Sequence, residues 1–204
     1  MIDLDDSPWD AWRPEDAQRR LAELDLPWYV AAGWAIDLFL GGERREHEDL
    51  ELAVPNARIG ELVAALPDLD AFVIGTPHAG TATPFAAVDE GALAATHQTW
   101  FRDRATGTWR LDVFREPSDG DTWICRRDDR LRMPYAKLIE HTAQGIPYGR
   151  PEVVLLYKAK HTRAKDDADF AATLPRLDRA RRGWLADALE RVHPSHRWLG
   201  DLTS

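Results

Sequence analysis

The stretch that decides the fold is residues 28–54, WYVAAGWAIDLFLGGERREHEDLELAV. Its first five residues form a short apolar run, which predicts a buried strand. Gly33 then opens a helix, and this helix ends at the pair Gly41-Gly42, because glycine is favoured just beyond a helix C-terminus. A second strand is predicted at Leu50 to Val54. A strand, a glycine turn, a helix and an acidic strand therefore follow one another closely.

Two acidic residues stand at the start of the second strand. Residues two apart on a strand point to the same face, so Asp49 and Glu51 are expected side by side, with Leu50 and Leu52 in the core. Adjacent anions repel each other, and a hard divalent cation such as Mg²⁺ relieves that repulsion through oxygen ligands. The pair predicts a metal site, and a solvated face of an edge strand is the alternative interpretation.

A third carboxylate and a phosphate-binding turn complete the hypothesis. Asp112 lies between apolar residues in WRLDVF, residues 109–114, and is the best candidate for an acid on a neighbouring strand. Such an acid can join a metal ligand set and accept a proton from a hydroxyl nucleophile. Gly33 begins a helix, and the free N–H groups at a helix start can receive a phosphate.

The rest of the chain combines strands and helices without repeats. Further helices are predicted at Pro14–Leu24 and Ile59–Leu66 and from Pro151 onward, strands at Ala71–Ile74 and Asp121–Arg126, a hairpin at His97–Arg102 and Thr108–Phe114, and a loop at Gly75–Gly91. This order of elements favours an α+β fold. We expect a mixed α/β domain at residues 1–140 and a helical domain at 141–204.

Composition narrows the possible partners. The net charge of −9 argues against DNA or long RNA and suits a small cationic substrate, or no charge-selective partner. The chain lacks an apolar run of the about 20 residues that a membrane span needs. Its acidic N-terminus does not resemble a signal peptide, so a cytoplasmic location is expected. The single cysteine, Cys125, is expected to be a buried structural thiol.

Three motifs carry a resemblance to a known family. The motifs AGWAIDL (32–38), REHEDLE (45–51) and LDV (111–113) resemble the nucleotidyltransferase superfamily, and more narrowly its aminoglycoside and lincosamide adenylyltransferase-like branch. The runs PEVVLLYKAK (151–160) and KDDADF (165–170) resemble the helical tail of that branch. The resemblance implies a polymerase β-like mixed sheet with flanking helices, followed by a small C-terminal helical part.

The resemblance also implies a reaction. A nucleoside triphosphate, usually ATP, would bind with Mg²⁺, as two ions, against Asp49, Glu51 and Asp112. Asp112 would be the general base, and AMP would pass to a hydroxyl of an aminoglycoside-like or lincosamide-like antibiotic. The implied nucleotide-binding residues are Gly33, Trp34, Arg45, His47 and Lys158. Such an activity would confer antibiotic resistance.

Several residues keep a second interpretation. Arg45 and His47 are also compatible with a solvated cation and a local cap. Lys158, His161 and Lys165 have helical spacing and could share a phosphate-binding face or a solvated one. The tryptophans of the hairpin region are expected to pack in the core or to form an aromatic wall: Trp100, Trp109 and Trp123.

Two departures from the family pattern leave other functions open. The glycine turn is Ala32-Gly33-Trp34 rather than Gly-Ser or Gly-Gly, and Glu51 stands where aspartate is usual. A catalytically degenerate nucleotide-binding module is therefore one alternative. A toxin-type nucleotidyltransferase that modifies tRNA or protein is the other, although the acidic net charge speaks against tRNA.

Overall fold

The structure is a computed structural model that describes residues 7–203 and, for Ile2–Asp3, the backbone. The chain divides into two compact units, Met1–Val30 with His47–Ser118 and Ala31–Glu46 with Asp119–Ser204. Residues 31–46 and 119–140 thus group with the C-terminal helices by contact. A division into compact units need not coincide with functional domains, so the sequence-based boundary at residue 140 stays a prediction.

The secondary structure alternates through both units. The strands are β1 (Ile2–Asp3), β2 (Tyr29–Val30), β3 (Glu51–Pro55), β4 (Leu69–Ile74), β5 (Thr81–Pro84), β6 (Gln98–Asp103), β7 (Trp109–Glu116), β8 (Ser118–Asp119), β9 (Thr122–Ile124), β10 (Arg132–Pro134), β11 (Ile139–His141) and β12 (Pro147–Gly149). The α-helices are α1 (Pro14–Leu21), α2 (Ala32–Leu40), α3 (Ile59–Ala65), α4 (Glu90–Ala95), α5 (Tyr135–Leu138), α6 (Pro151–Lys158), α7 (Ala164–Thr173), α8 (Arg179–Val192) and α9 (Leu199–Leu202). Short 3₁₀ turns lie at Asn56–Arg58, Phe85–Ala87, Ala159–His161 and Leu174–Arg176.

The first unit contains a mixed sheet. Its strands follow the order β1-β5-β4-β6-β7-β3-β2. The pair β3 and β7 is parallel, and the other pairs in this order are antiparallel. Leu52 and Val113 pair across the parallel strands, and both are fully buried. The helix α1 covers part of the core with Ala17 and Leu21, as its amphipathic pattern predicts.

The second unit is built around α6. Residues 151–156 of this helix are all buried, the charged Glu152 among them, so α6 is enclosed around its circumference rather than along one stripe. It packs against α2, α7 and α8. Two antiparallel strand pairs accompany the helices, β9 with β10 and β11 with β12. Cys125 lies after β9 and is 1% exposed, which confirms the predicted buried thiol.

The structure corrects one predicted loop. Residues 75–91 were expected to be irregular, whereas β5 pairs with β4 within them and α4 begins at Glu90. The segment has no alternating apolar pattern, because Ala82 is the one buried residue of the four in Thr81–Pro84. Within the described residues, no helix combines the length and apolar character that crossing a bilayer requires.

Candidate functional site

Two of the predicted carboxylates, Glu51 and Asp112, lie side by side on neighbouring parallel strands. The Cα of Glu51 pairs with that of Asp112, and the Asp112 N–H donates to the Leu50 carbonyl oxygen at 3.0 Å. Register partners on neighbouring strands point to the same face of a sheet, so these two side chains share one face. The predicted pairing of an acid on the second strand with an acid on a later strand is therefore present.

Asp49 occupies a different position from the one expected. It lies in a bend before β3, which begins at Glu51, so the prediction that both acids belong to the strand is wrong. The strand begins where pairing with β7 begins, and Asp49 precedes that pairing. Leu50 and Leu52 are fully buried, as expected. Asp49 and Glu51 are both half-buried, so both retain contact with solvent.

The surroundings of Asp112 include a residue that sequence reasoning missed. Asp112 is 3% exposed, and the Gln98 amide Nε2 donates to its Oδ2 at 2.6 Å. Trp100 of β6 pairs with Asp112 in register. Gln98 stood inside a predicted strand, but a cross-strand partner depends on register, which the local pattern does not contain.

The three carboxylates suit a hard metal ion in their chemistry. Carboxylate oxygens are the ligands that Mg²⁺ prefers, and the register of Glu51 and Asp112 places two of them on one face. Among the residues described, however, no three His, Cys, Asp or Glu side chains are gathered closely enough to hold a metal ion as they stand. A bound ion would therefore require these side chains to move toward it.

The glycine turn lies in the second unit. The helix α2 starts after Ala31, whose side chain makes no capping hydrogen bond, and Gly33 and Trp34 are buried in the first turn. Ala32 adopts a positive φ of 48°, a left-handed conformation that glycine tolerates better than alanine. The helix ends at Gly41, with φ of 92°, as the sequence predicted.

A buried network of charges surrounds Lys158. Its Nζ lies 3.0 Å from Asp166 Oδ1 and 3.0 Å from Asp169 Oδ2, and the Lys158 side chain is 7% exposed. Two cations after α2 also approach Asp169, with Arg45 at 3.6 Å and Arg44 at 3.8 Å. Two elements that resemble the family pattern, the arginines after α2 and the KDDADF run, therefore meet at Asp169.

Asp166 is stabilised as an anion within this network. Burial alone would raise its pKa, but hydrogen bonds from Arg163 and Lys158 hold the pKa well below its usual range. The Arg163 N–H donates to Asp166 Oδ2 at 3.0 Å, which also caps the start of α7. Asp166 is therefore ionised at neutral pH.

The predicted cationic face of the C-terminal helices does not form. Lys158 ends α6, His161 lies in a 3₁₀ turn, and Lys165 belongs to α7. The three residues are not on one continuous helix, because the chain bends between Ala159 and Arg163. The expectation of a shared helical face is wrong, and the proposed contact of Lys158 with a nucleotide stays a prediction.

The tryptophans of the hairpin region mostly belong to the core. Trp109 and Trp123 are fully buried, so the packing interpretation is confirmed for both. Trp100 is half-buried and lies with Trp9 and Trp109 in one aromatic cluster. The ring centroids of Trp9 and Trp100 are 5.0 Å apart in an edge-to-face arrangement, which favours their attraction.

The sequence around the glycine turn has known relatives. The family model of aminoglycoside-2''-adenylyltransferase matches residues 16–77, a range that contains Gly33, Asp49 and Glu51. Proteins described as 2''-aminoglycoside nucleotidyltransferase from Escherichia coli and Klebsiella pneumoniae are 48% identical to this chain over 42 residues, 21% of its length. That match spans 24% of each relative, about a quarter of its length.

Solved structures share the fold at low identity. The lincomycin-bound lincosamide antibiotic adenylyltransferase LnuA has a TM-score of 0.52 and 14% identity, covering 78% of this chain and 92% of its own. ANT(2'')-Ia in complex with adenylyl-2''-tobramycin has a TM-score of 0.55 and 16% identity, covering 87% and 95%. The chain is therefore similar in sequence around its glycine turn to the aminoglycoside-2''-adenylyltransferases, and in fold to the solved adenylyltransferases LnuA and ANT(2'')-Ia.

Proposed function

We propose that this protein is a nucleotidyltransferase that moves AMP from ATP onto a hydroxyl group of an aminoglycoside-like or lincosamide-like antibiotic. The observation that carries the proposal is the register of Glu51 with Asp112, with Asp49 two residues before Glu51. The match at residues 16–77 supports it, because that range contains two of these three acids.

The three carboxylates would have separate roles in this reaction. Asp112 accepts the proton of the acceptor hydroxyl, whose oxygen attacks the α-phosphorus of ATP. A bond forms between that oxygen and phosphorus, the bond to the bridging oxygen breaks, and pyrophosphate leaves. Asp49, Glu51 and Asp112 would hold Mg²⁺, as two ions, and the bound metal would supply electrostatic stabilisation of the charge that develops on the reacting oxygens.

The nucleotide would be held by residues of the glycine turn and by cations. The first-turn N–H groups of α2, at Gly33 and Trp34, are suited to phosphate oxygens. Arg45 supplies positive charge and His47 a ring nitrogen just before β3, and Lys158 is a further candidate. In the structure Lys158 already neutralises Asp166 and Asp169, so its part in nucleotide binding is the least direct of these roles.

The acceptor would be a small molecule that carries positive charge. The net charge of −9 favours association with a cationic compound at low ionic strength. The similar protein ANT(2'')-Ia was solved with an adenylylated tobramycin, and LnuA with lincomycin. We place the reaction in the cytoplasm, where ATP is available.

The test is a transfer assay with purified protein, ATP and Mg²⁺ against a panel of aminoglycosides and lincosamides. We expect pyrophosphate release and an acceptor whose mass has increased by one adenylyl group. Asp49→Asn should abolish turnover without unfolding the protein, and Asp112→Asn should slow transfer strongly while sparing ATP binding. Glu48→Gln is the matched control, because Glu48 is exposed and lies beside Asp49.

Each other outcome points to a different function. ATP binding without pyrophosphate release on any acceptor would favour a degenerate nucleotide-binding module. Label transferred to tRNA or to a protein would favour the toxin-type enzyme. Full activity in Asp49→Asn would refute the assignment of Asp49 to the reaction, whatever the acceptor.

A further inference from the structure

We infer that Gln98 is a positioning residue for Asp112: its side-chain amide fixes the orientation of the carboxylate that accepts the proton. The inference rests on the proposed function, because it assigns Gln98 a purpose in that reaction. It concerns residues of the first unit alone, on the neighbouring strands β6 and β7.

The contact between the two side chains is short and sheltered. Gln98 Nε2 lies 2.6 Å from Asp112 Oδ2, and Asp112 is 3% exposed. Gln98 pairs with Phe114 in register, two residues along β7 from Asp112, so Gln98 and Asp112 are diagonal neighbours on the same face. An ionised carboxylate accepts hydrogen bonds and donates none, so the amide nitrogen, rather than its oxygen, must face Asp112.

The backbone that carries Gln98 is itself anchored by a buried cation. Arg115, 2% exposed, donates through its guanidinium to the Leu93 carbonyl oxygen at 2.6 Å and the Thr96 hydroxyl at 2.7 Å. The same guanidinium reaches the Gln98 carbonyl oxygen at 3.3 Å, and the Arg115 N–H donates to the His97 carbonyl oxygen at 2.7 Å. Burial lowers the pKa of Arg115 to about 10, so the side chain remains a cation at neutral pH.

The hydrogen bond to Asp112 and the backbone held by Arg115 indicate that Gln98 does more than fill space in the sheet. A glutamine that filled space would pack equally well as methionine, which has the same length and no N–H donor. A base must meet its hydroxyl in one geometry, and a displacement of about 1 Å can cost about 100-fold in rate. The hydrogen bond from the Gln98 amide restricts rotation of the Asp112 carboxylate and so preserves that geometry.

The experiment compares Gln98→Met with wild type and with Thr99→Val. Thr99 is the matched control, because it is fully buried, lies next to Gln98 on β6 and points to the opposite face. We expect kcat to fall by about 10- to 100-fold in Gln98→Met while KM for ATP stays within about twofold, since Gln98 is not one of the residues proposed to bind the nucleotide. Thr99→Val should keep the wild-type kcat.

A second readout does not depend on turnover. The side-chain amide protons of Gln98 should give an NMR resonance pair in wild type, and one of them should move upfield when Asp112→Ala removes the carboxylate. An unchanged pair would overturn the inference, even if Gln98→Met failed to fold.

The failures of the two proposals are distinguishable. A wild-type protein that transfers no nucleotide to any acceptor overturns the proposed function and the purpose of Gln98 together. An active wild type with an equally active Gln98→Met overturns the inference alone. An equal fall of kcat in Thr99→Val would assign the effect to the strand rather than to the amide, which also overturns it.

Discussion

Removal of the Lys158 charge should destabilise the protein strongly. Lys158→Met keeps most of the apolar stem of the side chain and deletes the ammonium group that lies 3.0 Å from both Asp166 and Asp169. Those carboxylates are 1% and 2% exposed, so water cannot replace the lost cation without local opening. The variant therefore leaves buried negative charge with less compensation.

The remaining partners set the size of the effect. Breaking a buried ion pair by removing one partner costs about 3–5 kcal/mol. Asp166 keeps the bonds from Arg163, at 2.8 Å and 3.0 Å, whereas the nearest cation left to Asp169 is Arg45, at 3.6 Å. We therefore expect the lower end, about 3 kcal/mol. For a chain of 204 residues this corresponds to a fall in Tm of roughly 6–12 °C.

Thermal unfolding followed by circular dichroism measures this effect. Lys160→Met is the control, because Lys160 is exposed on the same segment and should change stability by less than about 0.5 kcal/mol. The double variant Lys158→Met with Asp169→Asn should recover part of the loss, since it removes the stranded charge. A Tm within 2 °C of wild type, roughly the error of the assay, would refute the buried network. Weaker ATP binding at an unchanged Tm would instead support the nucleotide role of Lys158.

Two further predictions concern the turn and the network. Ala32→Gly should raise Tm by roughly 2–4 °C. Glycine removes the strain energy of an alanine in the left-handed region, about 1–2 kcal/mol, and this gain outweighs the greater conformational entropy of glycine in the unfolded chain. A lower Tm would contradict the positive φ of Ala32. Asp166→Asn should lower Tm most above the unfolded pKa near 4. Because the folded pKa of Asp166 is depressed, its contribution shrinks progressively as pH falls from the unfolded pKa toward the folded one. A Tm difference equal at pH 7 and pH 2.5 would contradict this.

Local signals in the sequence predicted α2 almost completely. Gly41 was expected to end the helix, and it does so with φ of 92°, while its N–H donates to the Asp37 carbonyl oxygen at 3.0 Å. The hairpin of β6 and β7 was likewise predicted, with Gly107 in its turn at φ of 72°. In both places the information is carried by a glycine within a few residues of the feature it determines.

Long-range pairing explains what the sequence could not predict. The start of β3 depends on pairing with β7, a strand about 60 residues further along. The sequence around Asp49 therefore could not indicate that Asp49 lies outside β3. The bond from Gln98 to Asp112 depends on the register of β6 and β7 in the same way. The break after Lys158 had a local signal that was overlooked, the acid at Asp166 that caps the start of α7.

Glu51 is the residue on which an active enzyme and a degenerate relative differ most. Its Cα pairs with that of Asp112, so its carboxylate lies on the strand next to Asp112. The glutamate side chain is, however, one methylene longer than the usual aspartate. If the negative charge is what the reaction needs, Glu51→Gln, equal in size and neutral, should reduce transfer by about 100-fold or more. Glu51→Asp should stay within about tenfold of wild type and change the Mg²⁺ concentration at half-maximal rate, because the carboxylate that we propose as a metal ligand moves by about 1 Å.

The same two variants also separate the alternatives. Higher activity in Glu51→Asp than in wild type would show that glutamate weakens a site better suited to aspartate, and would place this chain between enzyme and degenerate module. Wild-type activity in Glu51→Gln would remove Glu51 from the reaction. The carboxylate pair would then reduce to Asp49 and Asp112, one before the strand and one within it, and any metal site would have to be built from that unequal pair.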